Sequence, residues 1–342
     1  MKNTIDYTPV SDTANHNYGI DILRCILALT IVFGHFWTDR NNSAFGNELI
    51  KLQNIAAPSF FLLSFFLSAK YIVLSNNGKH HNRIKRLLLL FYFWGFIGWA
   101  VQALFSGAEK DSVIMSLIWQ LFTGSSANTP LWYLIVLVWI TMLYFFIFKI
   151  AGRKAGMLIV SGLGVLSLAA QYTGINYWLF GNLPFEVKYT FGRILEMMPY
   201  ASVGMLLWHV LNKIPTHSRI QTRVIPLVCS MIGLVVYYRF CYSLQPEGFY
   251  YAGLPRLIGG TSLVMFFVSL PIPTASKPVT TLIRNITNYT PGIYCMHIIL
   301  GFVIQKAFLI DNQVLLCFMI YMAGYIISLL ISRIKRFECL VK

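Results

Sequence analysis

The chain has 342 residues, of which 57% are hydrophobic and only 11% charged, against about 45–50% and 25% in an ordinary soluble domain. Twelve acidic residues against 27 Lys and Arg leave a net charge of +15, yet so few charged side chains cannot cover a soluble surface of this size. A soluble domain is excluded, and with it the nucleic-acid reading of a basic chain; the composition is that of an all-α, polytopic transmembrane bundle.

Residues 1–18 are polar and read as a cytoplasmic tail, with no cleavable signal peptide evident. A hydrocarbon core is crossed by about 20 apolar residues of helix. Ten such stretches follow, near 19–38, 55–75, 86–106, 130–150, 156–173, 190–211, 224–243, 254–271, 289–310 and 313–333. The apolar segment 112–123 is too short to span and reads as interfacial or re-entrant. Residues 19–342 thus form a single transmembrane domain, with no repeat of fixed period.

Charge fixes the orientation. With the N-terminus in the cytoplasm, seventeen Lys and Arg residues fall on inner segments and four (Arg40, Lys51, Lys110, Lys188) on outer ones, the asymmetry of the positive-inside rule. Both termini are then cytoplasmic. The net charge of the chain is mainly topological.

Six cysteines lie mostly within apolar runs without CxxC spacing, so they read as small buried hydrophobes and not as a disulfide framework or a zinc site. No metal-ligand cluster, P-loop or dinucleotide fingerprint is present. His80, His81, His209 and His217 border inner segments and read as solvated. Trp37, Trp94, Trp99, Trp119, Trp178 and Trp208 sit near span ends and fit interfacial belts.

Ionisable groups within spans are costly and are the first functional candidates. The first span, YGIDILRCILALTIVFGHFW, carries Asp21, Arg24 and His35. Eleven residues separate Arg24 from His35, about 20° from three full turns and roughly 16 Å of rise. One stripe therefore runs from the inner interface toward the outer half. An interfacial Asp21–Arg24 pair with a satisfied interior histidine explains the same residues without chemistry. In the sixth span, Glu196 follows Arg193 by three residues and precedes Tyr200 on the same face; a structural ion pair and an acceptor-site role both fit.

Arg24 followed by ten residues and His35 resembles the Arg-x10-His signature of membrane acyltransferase family 3, which contains bacterial O-acetyltransferases of surface glycans. Further likenesses follow in order. APSFFLLSFFLS resembles the family's PLFFxxSGxL, and Arg83 and Arg86 match its Arg-x-x-Arg before the third helix. PLWYLIVLVWITMLY, with Trp132, is similar to LWFL…Y, and NYTPGIYCMHIIL, with Tyr294 and His297, to SxGIYxxH. Phe65 stands where the family usually has Gly after Ser64, and Cys25 replaces the common Gly after the Arg. The length suits shorter members of the enterobacterial-common-antigen O-acetyltransferase type, which lack a fused periplasmic domain.

The resemblance implies an O-acyltransferase of the bacterial inner membrane that moves an acyl group, acetyl first among candidates, from cytoplasmic acyl-CoA to a hydroxyl of a surface or lipid-linked glycan. The expected partners are acyl-CoA, that acceptor sugar and membrane lipids, with no metal and no nucleic acid. CoA phosphates call for cations at the inner mouth, which Arg83 and Arg86 supply at (i, i+3), with Arg24 deeper. Removing the hydroxyl proton calls for a base, and the imidazole of His35 suits that task; an acyl-histidine intermediate is the alternative. Asp21, Trp132, Glu196, Tyr294 and His297 complete the expected cavity set. A transporter or glycan flippase without acyl transfer is the alternative function; such proteins often show inverted repeats and paired broken helices, and the absence of internal symmetry argues against it.

Overall fold

The computed structural model describes residues 17–37, 44–74, 77–105, 118, 129–173, 185–212, 223–240, 251–270, 277–308, 310–335 and 337–341. The expected interfacial segment 112–123, apart from Ile118, and most of the polar tail lie outside these. Among the described residues there are nine α-helices and no strand: α1 (Tyr18–Phe36), α2 (Ala44–Val73), α3 (Asn77–Phe105), α4 (Trp132–Tyr172), α5 (Phe185–Leu211), α6 (Ile225–Phe240), α7 (Leu254–Ser269), α8 (Lys277–Phe308) and α9 (Gln313–Ser332). Seven are long and apolar enough to cross a membrane. The 16-residue α6 and α7 reach only about 24 Å, short of a hydrocarbon core of about 30 Å. The protein is a multi-pass membrane protein.

The count differs from the ten expected because the fourth and fifth stretches share α4. At Gly152 the backbone leaves helical geometry, with φ 72° and ψ −177°, a conformation open to glycine at little cost. The chain reverses there. Tyr144 and the Val160 carbonyl both bond the Ser202 hydroxyl, at 2.7 and 2.8 Å, though sixteen residues of straight helix would hold them about 24 Å apart. The limbs of α4 therefore run antiparallel, with Lys149, Arg153 and Lys154 at the turn.

Helix α1 is the hub, packed against α2, α7, α8 and α9. The Asn17 side chain caps it, accepting from the Gly19 and Ile20 amides while donating to Val268 O at the end of α7. A polar seam joins α1 to α8. Arg24 donates to Thr290 Oγ1 at 3.2 Å, Thr287 Oγ1 donates to Asp21 O at 3.1 Å, and Cys25 Sγ lies 3.3 Å from Thr287 Oγ1. Pro291 has no N–H for the Thr287 carbonyl; Thr290 Oγ1 donates to it instead, at 2.8 Å. At this proline the Gly292 amide donates to Val341 O, while Trp94 Nε1 donates to Leu340 O at 2.8 Å. The C-terminal turn Glu338–Leu340 is thereby pinned between α3 and α8. Trp94 is a buried strut, not a member of an interfacial belt as expected.

Phe65, in place of the family's usual glycine, is fully buried against Tyr144 and Phe61. The small residue stands across the interface instead: a Cβ on Gly204 of α5 would lie 2.4 Å from Leu62 O and 3.1 Å from the Phe65 Cβ. Outward apolar side chains such as Leu158, Val165 and Val235 face lipid. Cys229 and Cys339 are exposed as well, contrary to the expectation of buried cysteines, while Cys295 and Cys317 are buried as expected.

Candidate active site

Two cavities meet inside the bundle. The larger, about 660 Å³, lies between α1, α2, α3, the start of α4 and α8. Arg24, Arg83 and Arg86 line it together with His80 and Asn82, and leucines from α2, α3 and α4 form much of its wall. Arg83 donates to Ser64 O at 3.3 Å, and Ser64 Oγ lies 3.2 Å from the Tyr133 hydroxyl. These contacts order the guanidinium from the α2 side while it faces the cavity. The basic ends of α3 and of the α4 turn make this the cytoplasmic side by the positive-inside rule.

The smaller cavity, about 300 Å³, is lined by His35, Gln53, Trp132, Tyr189, Arg193 and Tyr251, among others. Ile31, Ala57 and Tyr294 line both cavities and form a waist between them. The Tyr294 hydroxyl donates to Pro130 O, just ahead of α4, and its ring packs on Tyr133 at 5.4 Å between centroids. Helix α1 thus sends Arg24 into the inner cavity and His35 into the outer one, as one stripe three turns long must.

The outer cavity is built around a caged cation. Arg193 Cζ lies 5.0, 4.7 and 4.9 Å from the ring centroids of Trp132, Tyr189 and Tyr251, within cation–π range of all three. Its guanidinium bonds Glu196 Oε2 at 2.5 Å. The other Glu196 oxygen accepts from the Tyr251 amide at 3.4 Å, and Tyr200 donates to the Tyr251 carbonyl at 2.8 Å. Trp132 and Tyr251 are stacked 5.6 Å apart. Such a box of aromatic faces and fixed polar groups suits a sugar ring, whose apolar C–H faces stack while its hydroxyls seek polar partners.

Of the residues singled out from sequence, Arg24, Arg83, Arg86, Trp132, His35 and Tyr294 line the two connected cavities. Glu196 is buried behind the outer one and acts on it through Arg193 and Tyr251. Asp21 is buried at the α1–α8 seam and lines neither. His297, also buried, packs its ring 5.2 Å from that of His35. His80 departs from expectation: it is 7% exposed, stacked on Phe145 at 3.9 Å and part of the inner wall, whereas its neighbour His81 is exposed. His217 lies outside the described residues. Sequence reasoning missed Tyr189 and Tyr251, and it read Arg193 only as the partner of Glu196. A cation three residues before a buried Glu and four after Tyr189 was the available signal; the other cage walls, Trp132 and Tyr251, come from separate segments and give none. No group of three metal-binding side chains occurs among the described residues.

Comparison with known proteins agrees with this arrangement. No curated protein and no solved structure matches the chain. The family model described as an acyltransferase domain, acyltransferase family 3, matches residues 17–334. A helical bundle with cations in an inner cavity and a histidine in an outer one accompanies that match: the chain belongs to acyltransferase family 3 and is a membrane acyltransferase.

Proposed function

We propose that the protein transfers an acetyl group from cytoplasmic acetyl-CoA to a sugar hydroxyl of a lipid-linked or surface glycan, across the inner membrane of a bacterium. One observation carries this reading: a single helix contributes Arg24 to the inner cavity and His35 to the outer one, and the two cavities meet at Ile31, Ala57 and Tyr294. Arg83, Arg86 and Arg24 are suited to the phosphates and polar arm of CoA, and the leucine-rich wall to its aliphatic portion. The thioester then sits at the waist, reached from the outer side by the acceptor hydroxyl. His35 accepts the hydroxyl proton as oxygen attacks the thioester carbonyl. The C–S bond breaks, and the sulfur leaves with its electron pair and takes up that proton. Trp132 and Tyr251 hold the sugar face, with Arg193 beside its hydroxyls.

A transporter without acyl transfer is not adopted, because the family is one of acyltransferases. The test uses membranes incubated with acetyl-labelled acetyl-CoA. The wild-type protein is expected to move label to glycan and release free CoA thiol. His35→Ala should abolish both, and Arg83→Ala or Arg86→Ala should raise KM for acetyl-CoA about tenfold, the loss of roughly 1.4 kcal/mol of binding. Normal O-acetylation by a well-expressed His35→Ala protein, seen by NMR of the glycan, would overturn the mechanism.

A further inference from the structure

The structure assigns to His297 the role of a positioning partner for His35, the two imidazoles forming a histidine dyad; the inference rests on the acyl-transfer reading above. His297 is 1% exposed and lies on α8, six residues beyond Pro291. Its Nδ1 lies 2.6 Å from the carbonyl oxygen of Tyr294. A carbonyl only accepts, so Nδ1 carries the proton and the ring is held as the Nδ1–H tautomer. Nε2 then bears the lone pair. It is buried with no hydrogen-bond partner, and a buried acceptor left empty is costly enough to call for a reason.

That reason stands beside it. The His35 ring lies 5.2 Å away, centroid to centroid, with the planes tilted by 45°. At that separation, ring nitrogens turned toward each other come within about 3 Å, hydrogen-bonding distance. Catalytic hydrogen bonds commonly tighten only when substrate is bound, and in the dyad so closed a ring N–H of His35 donates to His297 Nε2. The opposite nitrogen of His35, which lines the outer cavity, then takes the hydroxyl proton.

The remaining groups around the pair cannot take this place. Arg193 has no acceptor, and Tyr294 spends its hydroxyl on Pro130 O. Glu196 is engaged by Arg193 and the Tyr251 amide. Gln53, from α2, lines the same cavity as His35, but its amide lacks the buried, empty acceptor that His297 presents. His297 therefore does for His35 what a carboxylate does in a catalytic triad, fixing the tautomer and supporting the imidazolium that forms. Protons balance without it. The hydroxyl proton moves to His35 and from His35 to the CoA sulfur, while His297 keeps its own.

The backbone links the dyad to the waist. The carbonyl that fixes the His297 tautomer belongs to Tyr294, whose ring lines both cavities. The base and the point where donor meets acceptor are thus set by one turn of α8.

The experiment measures kcat and KM for acetyl-CoA by CoA thiol release from vesicles bearing the full-length protein and host glycans. His297→Phe fills the ring volume without the acceptor, and His297→Gln offers a carbonyl oxygen near the position of Nε2. The expected result is a kcat loss of about 100-fold for His297→Phe, at the low end of what acid–base catalysis contributes, with KM changed less than threefold. His297→Gln should recover at least a tenth of wild-type kcat. Equal losses in the two variants, a fall confined to KM, or kcat within threefold of wild type for His297→Phe would overturn the dyad. If His297→Phe does not fold, His297→Gln decides alone: kcat under a hundredth of wild type at unchanged melting temperature overturns it. Absence of thiol release from the wild-type protein itself would instead overturn the acyl-transfer reading.

Discussion

Arg193 shows how a single side chain can be both strut and site. Its guanidinium is enclosed by three aromatic rings and paired with Glu196, whose side chain is 3% exposed. Removing one member leaves the other's charge stranded in a low-dielectric interior, at a cost of about 3–5 kcal/mol. Glu196→Gln is accordingly expected to lower the melting temperature of the purified protein, and Arg193→Met to do the same. The double change Arg193→Met/Glu196→Leu should recover most of that stability, since no charge is stranded, yet leave glycan acetylation depressed about tenfold or more as the acceptor box loses its cation. Thermal unfolding and label transfer on the same preparations separate the two effects. At this scale the sequence was legible where one helix carries the pattern. Arg24 and His35 share a face because eleven residues are three turns, which needs only arithmetic. Arg193 and His80 were misjudged because most of their surroundings come from distant segments: Trp132 and Tyr251 for one, the Phe145 ring for the other.

Helices meet here through a few close approaches that tolerate little change. Gly204 admits the α2 backbone, and even a methyl group there would stand 2.4 Å from Leu62 O. Gly204→Ala should therefore cost about 1–3 kcal/mol, the usual range for overpacking, and the melting temperature should fall. By contrast a Cβ at Gly152 meets nothing within 4 Å; Gly152→Ala bears only the strain of a backbone region otherwise kept to glycine, about 1–3 kcal/mol. The expected stretches 130–150 and 156–173 correspond to the two limbs of α4, on either side of the turn at Gly152. The C-terminal turn was not legible in the same way. Nothing in the composition of residues 338–341 announces that their carbonyls receive Trp94 and Gly292. Trp94→Phe, which keeps the ring and deletes the donor, should destabilise by about 1 kcal/mol, measurable by the same thermal assay.

At the scale of the whole molecule, the proposed function rests on two cavities that share Ile31, Ala57 and Tyr294 in their walls. On that reading these three residues set what passes between them. Ala57→Phe adds bulk at the smallest waist residue and should reduce acetyl transfer at least 100-fold while leaving the affinity for acetyl-CoA, measured by calorimetry, within about threefold; the cationic inner mouth still supplies the binding. Ile31→Ala widens the same point and should admit longer acyl-CoA thioesters, scored as the ratio of butyryl to acetyl transfer. A tight change in affinity with unaltered turnover for Ala57→Phe would place the thioester elsewhere. The bundle itself was readable from composition and the charge asymmetry. The waist was not: Tyr294 was already a candidate, but Ile31 and Ala57 carry no chemical signature of their own, and the three lie on α8, α1 and α2.

The seam between α1 and α8 also sets a problem of timing. Arg24 finds its hydroxyl partner on Thr290, 266 residues later in the chain. At about 5–20 residues per second of synthesis, α1 waits tens of seconds in the bilayer before α8 exists. A charged residue within a helix opposes insertion by about 2.5–3.5 kcal/mol, and Arg24 is carried through that interval without its Thr290 partner. Biogenesis therefore depends on a helix whose polar face is a liability until nearly the rest of the protein has been made around it.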